Sequence, residues 1–149
     1  MIKKLIIIAL GFILTVMAFT SCSSGSSLPT EKDNTQLYKD TIQRYFNALI
    51  KADTDAFLGS LDPGGLLYPD PGAIEQLYDT ESENVLEGEA SVDNLSVLEE
   101  LTDHVQVRAE VFYRIDLHNT GEFKEETNYF TFELTFVDGE WLIYDLTIE

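Results

Sequence analysis

The stretch His104-Val-Gln-Val-Arg-Ala-Glu-Val-Phe-Tyr-Arg-Ile-Asp-Leu-His118 alternates apolar and polar side chains over its whole length. Its odd-numbered positions, Val105 to Leu117, are all apolar or aromatic, and its even-numbered positions are mostly charged or polar. Successive side chains of a strand point to opposite faces of a sheet. The pattern therefore predicts a long strand with one buried face and one solvated face, which places both histidines on the solvated side.

Three further segments on either side of this strand favour β structure. Residues 92–98 are assigned to one strand, residues 130–136 alternate around phenylalanines, and residues 141–148 form the fourth strand. Asn119-Thr-Gly121 and Asp138-Gly139 are turn signals, because asparagine, aspartate and glycine tolerate the positive backbone angles of tight hairpins. The sequence thus predicts an antiparallel meander of four strands.

The residues before this meander follow a helical period instead. From Asn34 to about Ala52 the apolar side chains recur every three or four positions, with Asn34 or Thr35 as the cap. Asp53 or Thr54 should cap a short second helix that ends at the Asp62-Pro-Gly-Gly65 breaker. Pro71 suits the first turn of a third helix. That helix is expected to carry the apolar residues Ile74, Leu77, Tyr78 and Val85.

Helices followed by antiparallel strands predict an α+β fold, with the helices covering one face of the sheet. The run Tyr45-Phe-Asn-Ala-Leu-Ile-Lys-Ala-Asp-Thr-Asp-Ala-Phe57 and the ending Asp138-Gly-Glu-Trp-Leu-Ile-Tyr-Asp-Leu146 resemble nuclear-transport-factor-2-like (NTF2-like, cystatin-like) domains. The resemblance spans residues 34–149 and comes nearest to small bacterial lipoproteins of that group without an assigned activity. It implies a curved sheet wrapped around the first helix, forming a cone with an apolar mouth.

The amino-terminal segment is typical of an export signal. Lys3 and Lys4 precede an apolar run from residue 5 to 19, and Thr20 and Ser21 lead to Cys22. This region resembles a bacterial lipobox, although Phe19 stands where an aliphatic residue is usual. We therefore predict a signal peptide over 1–21, lipid on Cys22, a flexible tether over 22–33 and one folded domain over 34–149. The resulting location is the extracytoplasmic side of a cell membrane or outer membrane.

Charge and cysteine content narrow the partners. The chain carries a formal charge of -18, and removal of the signal leaves 7 basic and 27 acidic residues, a charge of -20. A surface this acidic repels nucleic acid and anionic lipid headgroups. Membrane attachment must therefore depend on the lipid predicted on Cys22. A single cysteine cannot form an intrachain disulfide, and a lipidated cysteine needs no partner.

No metal or cofactor is predicted. The two histidines are far apart and lack a zinc-binding spacing, and no phosphate loop or dinucleotide motif is present. Asp53 and Asp55 lack the rest of a calcium loop and suit a helix cap better. The acidic cluster of Glu81, Glu83, Glu87 and Glu89 is more typical of a solvated surface than of a cation site.

The candidate pocket residues are aromatic, and each could equally be ordinary core. They are Tyr45, Phe46, Tyr113, Phe130, Phe132 and Trp141. Asp145 joins them if the face of the last strand that carries Trp141 points inward, because burial there would raise the pKa of its carboxyl group. If the other face of that strand points inward, Asp145 is solvated.

Three functions are compatible with the sequence. The first is a non-catalytic module that binds a small ligand or a protein. The second is a small isomerase or hydratase that uses Asp145 or Tyr113. The third is a structural subunit that forms a homodimer through the outer face of its sheet, where Phe112 interrupts the polar pattern.

Overall fold

The computed structural model describes residues 34–83, 85–116 and 120–149. The predicted signal peptide, Cys22 and the tether lie outside these residues, as do Leu117, His118 and Asn119. Among the described residues, no helix has the length and apolar character needed to cross a membrane.

Among the described residues, three helices precede the sheet. Helix α1 spans Thr35–Lys51, α2 spans Thr54–Leu58 and α3 spans Pro71–Thr80, followed by a 3₁₀ turn at Glu81–Glu83. Asp53 caps α2 by accepting a hydrogen bond from the Ala56 amide at 2.9 Å, and Asp70 caps α3 in the same way through Ala73. The predicted third helix was too long, because Val85 lies beyond the 3₁₀ turn and is exposed.

Four antiparallel strands follow in the order β1-β2-β3-β4. Strand β1 spans Glu87–Glu100, β2 His104–Asp116, β3 Lys124–Val137 and β4 Glu140–Ile148. The predicted meander is confirmed, and three of its strands are longer than the apolar runs alone indicate. Asp138 and Gly139 both have positive φ, which is the backbone of the predicted tight turn.

The core lies between α1 and one face of the sheet. Val105, Val107, Ala109 and Val111 of β2 are fully buried, whereas Arg108 between them is exposed. Alternate residues of β3 and the Tyr38–Ile42 stripe of α1 complete this layer. One face of the sheet is thus covered and the other solvated, as the alternation predicts.

The alternation fails at one position of β2. Asp116, expected among the solvated residues, is 1% exposed. Its carboxylate accepts a hydrogen bond from the Gly121 amide, five residues further along the chain, at 2.5 Å. A buried carboxylate is stabilised by such backbone donors, and a period of two contains no signal for it.

Candidate functional site

The phenylalanines predicted to line a pocket fill the space between α1 and the sheet. The Phe46 ring lies 5.3 Å from that of Phe130 and 6.3 Å from that of Phe132, measured between centroids. Phe130 and Phe132 are 5.8 Å apart, and both are buried. Ring pairs at these separations are in packing contact. At this level the interior of the cone is occupied by its own side chains.

The two predicted pocket tyrosines lie at the edge of the same layer. Tyr45 packs against Phe46 and Phe57, with ring centroids 5.3 and 5.6 Å apart, and burial raises its pKa. The Tyr113 hydroxyl accepts a hydrogen bond from the Asn128 side-chain amide. Both tyrosines are half-buried and pack on the core.

Trp141 makes its ring contacts with a different set. It meets Tyr38 edge-on at 5.0 Å and Phe136 at 5.2 Å. Its backbone carbonyl accepts a hydrogen bond from Thr41 at 2.9 Å, which ties β4 to the first half of α1. The structure therefore divides the predicted pocket aromatics between two packed groups.

Asp145 lies on the outer face of the sheet because of an irregularity in β4. Ile143 pairs with Leu134, but Asp145 pairs with Glu133, so Tyr144 is an extra residue between them. Such a bulge reverses the alternation of the side chains that follow. Trp141 and Ile143 face the core, and beyond the bulge Leu146, opposite Phe132, does so. Asp145 shares the face of Glu133, and its carboxylate accepts from the Leu146 amide.

One open volume lies among the helices. A cleft of about 150 Å³ separates the end of α1 and the short α2 from α3. We call it the helical cleft. Its lining residues are Ala48, Leu49, Ala52, Asp53, Thr54, Phe57, Leu77 and Glu81.

A second, more open hollow adjoins the helical cleft and shares Phe57 and Leu77 with it. Helix α3 forms its other wall through Ala73, Gln76 and Thr80. No residue of α3 is fully buried, although the helix is amphipathic. Helix α3 is therefore only partly packed, and two of its apolar residues, Ala73 and Leu77, border open space. Sequence reasoning missed this feature because α3 shows the same periodicity as a packed helix.

Two acidic residues, Asp53 and Glu81, line the helical cleft. Asp55 follows Thr54 on α2 and is not among the lining residues. The Tyr78 hydroxyl of α3 donates to the Asp55 carboxylate at 2.7 Å, which links α3 to α2. This hydrogen bond is the main cause that raises the pKa of Tyr78. Lys51 lines a separate depression that also borders Asp53.

The described residues bring together no group of three or more histidine, cysteine, aspartate and glutamate side chains able to hold a metal ion. His104 opens β2 and is half-buried. The helical cleft thus combines apolar walls with carboxylates.

Comparison with known proteins identifies the fold. No protein-family model matches the chain, and no curated protein matches it in sequence. A cystatin-like protein of unknown function from Nostoc punctiforme is 12% identical, with a TM-score of 0.56 over 76% of this chain and 88% of that one. The curved antiparallel sheet behind three helices is a cystatin-like, NTF2-like α+β fold, as predicted.

Other solved structures with this fold differ in what their names report. The association domain of CaMKII from C. elegans is 16% identical, with a TM-score of 0.62 over 82% of this chain and 99% of that one. A ketosteroid isomerase-like protein from Erwinia carotovora is 14% identical, with a TM-score of 0.52 over 77% and 94%. The fold is therefore shared by proteins of different kinds, and function has to be argued from the site.

Proposed function

We propose that this protein is an extracytoplasmic lipoprotein, anchored through Cys22, whose domain is a non-catalytic module that binds a small ligand. The observation that supports binding is the helical cleft, an open apolar volume beside an interior that is otherwise filled. Concave apolar sites with a few polar groups are the usual form of a small-molecule site.

The anchor is argued from the sequence. Thr20, Ser21 and Cys22 end an apolar run, as in a lipobox, and the mature charge of -20 opposes attachment to anionic lipid. A lipidated amino terminus would carry at least two acyl chains, and each buried methylene contributes about 0.8 kcal/mol. Two chains are enough for durable anchoring.

Palmitate labelling tests the anchor. Cys22 is the only cysteine, so Cys22→Ser removes the only thiol that can be acylated. We expect the label to disappear and the protein to leave the membrane fraction or to accumulate uncleaved. Ser24→Ala, two residues away, is the control and should keep the label. Unchanged labelling of Cys22→Ser would refute the anchor.

The binding site can be tested by filling the helical cleft. Leu49 lines the cleft and is 44% exposed, so Leu49→Trp should occupy the space without disturbing the core. Leu37, on the same helix and 42% exposed, lies outside the cleft and supplies the control Leu37→Trp. Ligands found in a thermal-shift screen should be lost from the first variant and retained by the second. Ligands that bind both variants equally would remove the helical cleft as the site.

Self-association is a second candidate, favoured by the outer face of the sheet. Phe112 and Tyr129 lie on this face, and Tyr129 is 44% exposed beneath the Arg108 guanidinium at 5.0 Å. A solved structure with this fold is named an association domain. Light scattering should then show a dimer that Tyr129→Lys dissociates. A monomeric wild-type protein at micromolar concentration would refute this candidate.

The geometry supports an enzyme less well than a binding module. Asp145 lies on the outer face of the sheet opposite Glu133, away from the core, and the Tyr113 hydroxyl already accepts from Asn128. A general base must reach the proton that it removes from a bound substrate. Neither residue lines the helical cleft. For these reasons the binding module is our preferred function.

A further inference from the structure

We propose that the helical cleft selects a compact apolar cation: a single ring or a branched aliphatic group that carries one ammonium. This inference rests on the proposed binding function and names the ligand class for the same site. Three features of the cleft support it: the size of the cleft, its apolar walls and the sign of the charges at its edge.

Size limits the ligand to one ring. The cleft measures about 150 Å³. An apolar cavity of about that volume in another protein accepts benzene, which gives the scale of what fits. A fused ring system or a long acyl chain would extend beyond the cleft into the more open hollow beside Ala73 and Gln76.

The walls favour an apolar body. Five of the eight lining residues are apolar: Ala48, Leu49, Ala52, Phe57 and Leu77. Leu49 remains 44% exposed, and Phe57 and Leu77 are half-exposed, so a ligand would remove apolar surface of all three side chains from water. Such burial contributes roughly 25 cal/mol per Å². Phe57 is the aromatic residue among the lining residues, and the face of an aromatic ring attracts a cation and not an anion.

The charges favour a cation. Asp53 and Glu81 are the ionisable groups among the lining residues, and both are acidic. Asp53 is held as the cap of α2, so its carboxylate is already fixed beside the cleft. Asp55, also on α2, accepts the Tyr78 hydroxyl and does not line the cleft. Arg44 and Lys51 line the separate depression that shares Ala48 and Asp53 with the cleft, and neither cation lines the cleft itself. A mature charge of -20 further raises the local concentration of cations.

Three probes of one shape test this inference: benzylammonium, benzyl alcohol and benzoate, which differ in charge. Isothermal titration calorimetry of the full lipidated chain in a neutral detergent supplies the dissociation constants, with Leu49→Trp as the baseline for binding to micelles. We expect benzylammonium to bind at least tenfold more tightly than benzoate and several-fold more tightly than benzyl alcohol. All binding above the baseline should persist in Leu37→Trp.

Glu81→Gln removes one charge at nearly constant shape, and Glu75→Gln, on α3 outside the cleft, is its control. The first should weaken benzylammonium about two- to fivefold, the range expected for an exposed ion pair, and leave benzyl alcohol unchanged. The second variant, Glu75→Gln, should change the affinity for neither probe.

Equal affinity for the cation and the alcohol, or equal effects of the two variants, would overturn the cation preference while leaving a binding cleft. If the three probes bind wild type and Leu49→Trp alike, the cation inference fails, and the ligand screen still decides whether the cleft binds anything.

Discussion

Strand β2 and helix α3 show the same kind of amphipathic pattern in sequence and differ in what they bury. Four successive inward residues of β2, from Val105 to Val111, are fully buried, but no residue of α3 is. Two paired strands and α1 surround β2. Helix α3 borders open space through Ala73 and Leu77. The difference separates a part of the domain that supplies stability from one that leaves room for a ligand.

The largest expected effect on stability comes from a change in the packed core between α1 and the sheet. Phe132 of β3 is fully buried beside Phe46 and Phe130, and Phe132→Ala should cost about 3–5 kcal/mol of unfolding free energy, because a cavity remains. Phe136, on the same strand and 45% exposed, supplies the control; Phe136→Ala should cost about 1 kcal/mol, the worth of its contact with Trp141. Urea denaturation measures both. Similar losses would show that the interior is not tightly packed.

A smaller effect is expected where the loop after α2 meets β4. An added Cβ at Gly65 would lie 2.6 Å from the Tyr144 carbonyl oxygen, whereas one at Gly64 would meet only the Asp62 side chain at 3.4 Å. Gly65→Ala should therefore cost about 1–3 kcal/mol through backbone displacement, and Gly64→Ala much less. Thermal unfolding of the pair gives the comparison. Equal melting temperatures would mean that this loop is not held against β4.

Helix α3 should tolerate the shortening of a side chain that borders the helical cleft. Leu77→Ala removes the α3 side chain that borders both the helical cleft and the adjoining hollow, and should cost less than about 1.5 kcal/mol because Leu77 is only partly buried. Native-state hydrogen exchange should likewise show α3 amides opening well below the free energy of β2 amides. A loss equal to that of Phe132→Ala, or equal protection of the two elements, would contradict the contrast between them.

The smallest effect concerns the hydrogen bond that links α3 to α2. Tyr78→Phe removes the donor to Asp55 and should lower stability slightly near neutral pH. Since the folded state raises the Tyr78 pKa above its ordinary 10.0, this stabilisation is complete below pH 10 and is lost as pH rises through the raised pKa. Denaturation from pH 8 to 12 should show the wild type and the variant converging. A difference that grows with pH would refute the assignment.

Much of the fold could be predicted because it is written in local patterns. The alternation over Val105–Val111, the Asp138-Gly139 turn and the Asp53 cap each depend on neighbours in sequence, and the structure confirms all three. The prediction for Asp145 stayed open because both faces of β4 are fairly apolar. The bulge at Tyr144 puts Trp141 and Leu146 on the same side, which no strict period of two can express.

The sequence by itself determined the order of the elements, the buried face of the sheet and the charge of the domain; an export signal with lipid on Cys22 is its prediction. Periodicity, turn residues and composition act over a few positions, so one chain is enough to read them. Only the tertiary structure decided that the aromatic residues fill the cone, that Asp116 is buried and that α3 borders the helical cleft. These outcomes depend on how closely elements distant in sequence approach one another, and an amphipathic pattern does not record whether its partner arrives at packing distance.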